Sequence, residues 1–149
     1  MTVRIQIDDF DLGQELTSMR LAGRANIGAI VSFVGQVRDM NDGDTIITLT
    51  LEHYPEMTEN ALTSIEDEAK TRWDISDSLI IHRIGTLKPL DQIVLVAVTS
   101  AHRGEAFKAC EFIMDFLKTS APFWKKEATN QGERWVEAKL ADDEAKARW

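Results

Sequence analysis

Apolar positions along this chain fall into short strand-like runs separated by two longer, strongly periodic stretches. Val3 to Ile7 alternates apolar and polar residues, as a half-buried strand does. Asp11 to Ala22 reads as a short helix, opened by Asp and closed near Gly23. Ile27 to Val34 is an apolar strand ending at Gly35, and Arg38 to Asp44 is a turn-rich loop. Ile46 to His53 alternates again. Ile46, Thr48, Thr50 and Glu52 fall on one face, and Ile47, Leu49, Leu51 and His53 on the other. These two strands, with the loop between them, predict a hairpin.

The first periodic stretch runs from Pro55 to about Trp73. Leu62, Ile65, Ala69 and Trp73 recur at three-to-four spacing, while Glu59, Glu66, Asp67 and Lys70 cover the other face. Ser78 to Ile84 and Gln92 to Ser100 are two further strands, joined through Gly85 and Pro89. The second helix, about Gly104 to Thr119, places Ala106, Ala109, Cys110, Ile113 and Leu117 on one side. Pro122 ends it, because proline lacks the N–H that a helix interior requires. Trp124 to Ala128 and Arg134 to Ala138 predict a last hairpin about Asn130-Gln131-Gly132. The resulting order, β-α-β-β-α-β-β-α-β-β, points to an α+β fold with a mainly antiparallel sheet, hairpins and two to three packed helices. The expectation is a single domain over 1–149, with 137–149 as a C-terminal tail. An exposed terminal aromatic is unfavourable, so Trp149 is expected to dock on this subunit or a partner.

Composition narrows the function classes. At 149 residues and 44% hydrophobic, the chain can bury a full core. A net charge of −8 argues against non-specific nucleic-acid binding, which needs surplus Lys and Arg. The lone Cys110 allows no intrachain disulfide and no multi-thiolate metal site, and it reads as a buried thiol. The N-terminus lacks a signal-peptide pattern. The longest apolar run, Ile93 to Val98, is far short of the ~20 residues that span a bilayer. A cytoplasmic protein is expected, with no membrane partner.

Against this acidic background, His102 to Lys126 carries five Lys/Arg and three acids, a local +2 that leaves −10 for the remainder. An anionic ligand is the simplest reason for such an island. Lys118 ends the second helix and Lys125 follows beyond the proline turn, so one cleft can hold both. Two close ammonium groups favour each other's neutral form and could supply proton transfer or nucleophilic chemistry. Alternatively, Lys118 only complements the helix dipole and Lys125 is solvated, the reading that spacing alone favours. His102-Arg103 sits where a strand hands over to the helix, a place that attracts anions; alternatively His102 caps the helix and Arg103 is surface charge. Arg38 is open to both readings. His53 and His82 read as structural, and three scattered histidines make no metal pattern. Phe123-Trp124 reads as an anchor for the turn.

Several blocks in register resemble the large, catalytic subunit of molybdopterin synthase. They are Phe33-Val34-Gly35-Gln36-Val37-Arg38, Leu49-Thr50-Leu51-Glu52-His53-Tyr54-Pro55 and Ile81-His82-Arg83-Ile84-Gly85. Val98-Thr99-Ser100-Ala101-His102-Arg103, Phe112 to Thr119, Phe123-Trp124-Lys125-Lys126-Glu127 and Arg134-Trp135-Val136 complete the set, spanning roughly 27–138. The resemblance implies a hammerhead-like α/β domain that transfers sulfur. The donor is the C-terminal thiocarboxylate of a small ubiquitin-like subunit, and the acceptor is cyclic pyranopterin monophosphate, which becomes the dithiolene of molybdopterin. It implies Lys118 and Lys125 as the catalytic pair, and Gln36, Val37, Arg38, His102, Arg103, Lys126 and Glu127 as substrate-binding residues. Gln36 stands where relatives often carry Lys, and Glu56 where Gly is more usual. A heterotetramer is implied, with a central homodimer of this chain and residues from the second copy completing each pocket. No metal or resident organic cofactor is implied. The alternative is a non-catalytic binding module for a phosphorylated pterin-like metabolite.

Overall fold

The computed structural model describes residues 1–136 and 140–149. Its elements are β1 (Thr2–Gln6), α1 (Leu12–Ala22), β2 (Ala29–Gln36), β3 (Met40–Asn41), β4 (Asp44–His53), α2 (Met57–Arg72) and β5 (Asp77–Arg83). They continue with β6 (Gly85–Leu87), β7 (Gln92–Ser100), α3 (Arg103–Ser120), β8 (Phe123–Thr129), β9 (Gly132–Val136) and α4 (Leu140–Ala147). The Asp11 side chain caps α1 by accepting from the Gln14 N–H at 3.0 Å.

Two sheets carry the molecule. The first has the order β1-β5-β7-β2, and all its pairings except parallel β1–β5 are antiparallel. α2 and α3 cover one face, packing Leu62, Ala69, Phe112 and Ile113 against Ile80, Val94, Val96 and Val98. The other face meets α1, where Leu79, Ile81, Leu95 and Ala97 pack on Phe10 and Met19. Double coverage explains why β7 reads as an unbroken apolar run rather than an alternating one. Each large side chain buried there contributes about 1.5–3 kcal/mol. Phe112, wholly buried on α3, is a central member, and truncating it to Ala would cost about 3–5 kcal/mol.

The second sheet runs β3-β4-β8-β9, with β6 on the other edge of β4. It corrects one expectation: β2 and β4 are not a hairpin. β2 pairs with β7 and β4 pairs with β8. The chain leaves the first sheet at Val37, whose N–H and carbonyl bond to Asp91 and Leu90 at 2.9 Å. It re-enters as a tight β3–β4 hairpin. Asp42 and Gly43, at φ 50° and 82°, give that turn the left-handed backbone a two-residue hairpin needs. The alternation expected along β4 is also broken. The pairing shifts between Ile46 and Thr48, so Ile46, Leu49 and Leu51 all reach one small core with Val37 and Leu87.

Glu66 is a second correction. It does not lie on the solvated face of α2 but is only 2% exposed, accepting a hydrogen bond from the buried Ser78 hydroxyl. Burial, partly offset by that bond, pushes its carboxyl up to about 7. α2 begins at Met57 because Glu56, at φ 67° and ψ −52°, forms a three-residue turn closed by the Met57 N–H on the Pro55 carbonyl at 2.8 Å. Trp149 docks as expected, edge-on to Trp73 and Phe112, with its Nε1–H on Asp115 at 2.6 Å. The expected end of the last hairpin at Ala138 lies outside the described residues.

Candidate active site

The site forms where the two sheets meet the C-terminal end of α3. That helix stops because Pro122 cannot continue it, and the Phe123 N–H closes a tight turn on the Ala121 carbonyl at 2.8 Å. The chain then reverses into β8. Successive side chains of a strand point to opposite faces, so Phe123, Lys125 and Glu127 share one side while Trp124 and Lys126 share the other. The first side, the last turn of α3 and the β2–β3 connection enclose a cavity of about 340 Å³.

Lys118 and Thr119 from α3, Lys125 and Glu127 from β8, Gln36 at the end of β2, and Val37 and Arg38 just after it all line it. Lys118 and Arg38 are exposed and make no ion pair among the described residues, and Lys125 is half-buried. Glu127 is buried. Its Oε1 accepts from Asn41 Nδ2 at 2.6 Å and its Oε2 from Arg134 Nε at 3.1 Å. Arg134 also bonds Asp44 at 2.6 Å and the Asn41 carbonyl at 2.8 Å, tying the β3–β4 hairpin to β9. With Glu127 thus engaged, the cavity presents three cations from separate elements against one further carboxylate, Asp142 of α4. Such an enclosure suits a small anion and can stabilise negative charge that develops during reaction. Lysine pairs with anions as a point charge and Arg38 as a planar fork.

Three expected site residues lie elsewhere in the single chain. Lys126 projects from the opposite face of β8, where it bonds Glu133 at 2.9 Å and lies over the Trp135 ring. His102 and Arg103 sit exposed at the start of α3, a helix length of ~22 Å from Lys118 at 1.5 Å per residue. His102 occupies the capping position, yet its side chain makes no cap hydrogen bond. One chain by itself does not bring this pair to the cavity.

The family described as MoaE protein matches residues 5–120 of this sequence. The chain belongs to the MoaE family. It is 62% identical over 148 residues to the molybdopterin synthase catalytic subunit of Ralstonia nicotianae, covering 99% of this chain and 84% of that one. It superposes on the molybdopterin biosynthesis MoaE protein of Burkholderia ambifaria with a TM-score of 0.85 at 56% identity, covering 99% of this chain and 97% of that one. Molybdopterin synthase from Staphylococcus aureus gives a TM-score of 0.82 at 34% identity, over 90% of this chain and 96% of that one. This MoaE-family chain therefore has the mixed, mainly antiparallel architecture of solved relatives, and no helix among the described residues is long and apolar enough to cross a membrane.

One cavity residue escaped the sequence reading of this MoaE-family chain. His82, read as structural, is 2% exposed and stacks on Phe123 with ring centroids 3.8 Å apart, yet it also forms part of the cavity wall. Burial, reinforced by the nearby Lys125, His53 and Lys118, pushes its imidazole down to about 3 against an opposing hydrogen bond to the Arg83 carbonyl. Its position among apolar strand residues resembles that of any core histidine, so no local signal marked it. Only the stacking on β8, 41 positions away in sequence, reveals its place.

Proposed function

We propose that this chain is the catalytic subunit of a molybdopterin synthase, working as one domain in the cytoplasm. It transfers sulfur from the C-terminal thiocarboxylate of a small ubiquitin-like subunit to cyclic pyranopterin monophosphate, making the dithiolene of molybdopterin. The carrying observation is the convergence of Lys118, Lys125 and Arg38 on one cavity, in a chain 62% identical to a catalytic subunit of that enzyme. Donor and acceptor are both anions, and the cations oppose their mutual repulsion.

Lys118, at the exposed end of α3, orients the incoming thiocarboxylate and moves a proton as sulfur attacks. Lys125, deeper on β8, stabilises the negative charge that develops. Arg38 holds phosphate beside the Gln36-Val37 backbone. Glu127 acts through Arg134 and Asn41, holding the wall rather than touching substrate. His102 and Arg103 belong to the pocket of a second copy in a central homodimer, which supplies the pair that one chain leaves ~22 Å away.

The test is reconstitution from the purified chain, the thiocarboxylated partner and the cyclic pterin. Dithiolene product that depends on Lys118 and Lys125 is the expected result. Pterin binding with no product from the wild type would establish a binding module instead.

A further inference from the structure

β2 closes one edge of the first sheet. Among the described residues it pairs with β7 alone, so its outer side presents a row of unpaired backbone groups along eight residues. Folded chains blunt such an edge with charge, proline or a cover. The opposite edge, β1, carries Arg4, ion-paired to Glu15. β2 has no such guard: neither a charged residue nor a proline stands between Arg24 and Arg38. Above it lies α3. Ala106, Ala109 and Ile113 of that helix face the sheet, while Glu105 and Phe112 face the chain just past α2, where they meet Asp74 and Trp73. At about 100° per residue, Arg103, Phe107, Met114 and Lys118 fall on the remaining flank, over the outer side of β2. Phe107 there is 60% exposed, and Phe33, on the α3 face of β2, is 39% exposed.

We propose that β2 is where two copies of this chain join, each β2 pairing antiparallel with the other about its middle, near Ser32 and Phe33. This rests on the synthase reading above and gives its central homodimer a geometry. The surface is self-complementary, as a two-fold interface requires. Strand direction decides what the join does. β2 starts beside the start of α3, since Ala29 pairs with Ser100 and α3 begins at Arg103. It ends at the cavity, where Gln36 and Lys118 both stand in the wall. β2 therefore runs the same way as α3. It spans about 24 Å at ~3.4 Å per step, against ~22 Å from Arg103 to Lys118. A two-fold axis through the middle of β2 reverses both elements, so the start of the second α3 lies level with the cavity of the first. Paired strands sit about 4.8 Å apart and packed helices about 8–10 Å, so one helix covers two strands and the two α3 flanks meet. His102 and Arg103 of each copy then reach the Lys118 end of the other, and Phe33 and Phe107 leave water. A small subunit added to the same edge would cover the strand but leave that pair ~22 Å from the cavity.

The test starts with the purified full chain, which is expected to sediment as a dimer. Phe107→Asp puts a charge on the flank of α3 that a second copy covers. Because this side chain is exposed in the single chain, the fold stays intact. The dimer dissociation constant is expected to rise about 100-fold or more, the scale of an interface hot spot. Ile7→Asp, equally exposed but beside the opposite edge, is expected to stay dimeric. Hydrogen exchange read by mass spectrometry gives a second measurement that needs no substitution. Residues 29–36 are expected to exchange slowly in the dimer and about 10-fold faster or more once it is diluted to monomer. A monomeric wild type, a Phe107→Asp dimer of wild-type affinity, or equal exchange of 29–36 in dimer and monomer overturns the assignment. Protection of 29–36 that appears only on adding the small thiocarboxylated subunit gives the edge to that subunit and overturns it too. A wild-type complex that makes no dithiolene product overturns the synthase reading instead, and sedimentation and exchange still decide the role of β2.

Discussion

Ser78 and His82 lie four residues apart on the same face of β5, and their surroundings have opposite uses. At the Ser78 end, next to the start of α3, the Glu66 carboxyl is buried and engaged by the Ser78 hydroxyl. At the His82 end, under the close of α3, an equally buried imidazole has Nδ1 engaged by the Arg83 carbonyl, and the residue forms part of the wall of a cavity that Lys118 and Lys125 also line. Burial drives both groups toward their neutral forms, the acid upward and the base downward. The difference is made by partners. A buried polar group whose needs are met within the fold acts on stability, and one left facing a cavity is available to chemistry.

The largest expected effect breaks the cavity end. Lys118→Ala should lower product formation by about 10²- to 10⁴-fold, the usual contribution of a positioned proton-transfer group. Partner binding, followed by titration calorimetry, should be much less affected. Near-normal turnover from this variant with a preloaded sulfur donor would falsify the role given to Lys118.

A next test probes the far end of α3. Arg103→Lys should raise KM about tenfold or more if the guanidinium makes a bidentate contact, since an ammonium cannot reproduce that fork. Mixing Arg103→Ala chains with Lys118→Ala chains should restore part of the activity, because a mixed dimer can assemble one intact pocket from two copies. No recovery on mixing would place the whole site within single chains.

The closed end is tested through stability. Glu66 titrates near 4.5 when unfolded and about 7 when folded, so between those values the native state binds a proton that the unfolded chain has released. Stability therefore falls as pH rises through that window, by up to about 3 kcal/mol, and stays lower above it. Glu66→Gln should remove this slope, raising the unfolding midpoint at pH 8 while changing little at pH 4. Denaturation curves of both proteins across that range check the sign.

The smallest effect sharpens the contrast between the faces of β8. Lys126→Ala removes an exposed pair with Glu133 outside the cavity, and turnover should stay at the wild-type level. A large loss of kcat there would mean that the opposite face of the sheet also takes part.

Legibility in the sequence followed the range of the forces involved. β7 and both long helices stand where apolar periodicity placed them, since each pattern is satisfied within one element. The predicted β2–β4 hairpin failed because strand pairing is a choice among partners, and the bonds of Val37 to Leu90 and Asp91 redirected the chain. Glu66 was misplaced because helical spacing assigns a charged residue to solvent, whereas Ser78, a residue of another element, made its burial tolerable. Lys118, Lys125 and Arg38 were singled out from type and position. Lys126 was expected at the site only through the family resemblance, and strand alternation sends it to the other face.

By itself the sequence determined the helices, most of the strands, the cationic stretch around the end of α3 and the resemblance to a sulfur-transferring family. These follow from local periodicity, proline and glycine chemistry, and motifs in order. The tertiary structure alone decided which strands pair, which cations share a cavity and which histidine stands beneath them. Those outcomes depend on contacts between residues far apart in the chain, whose energies arise only when packing brings them together.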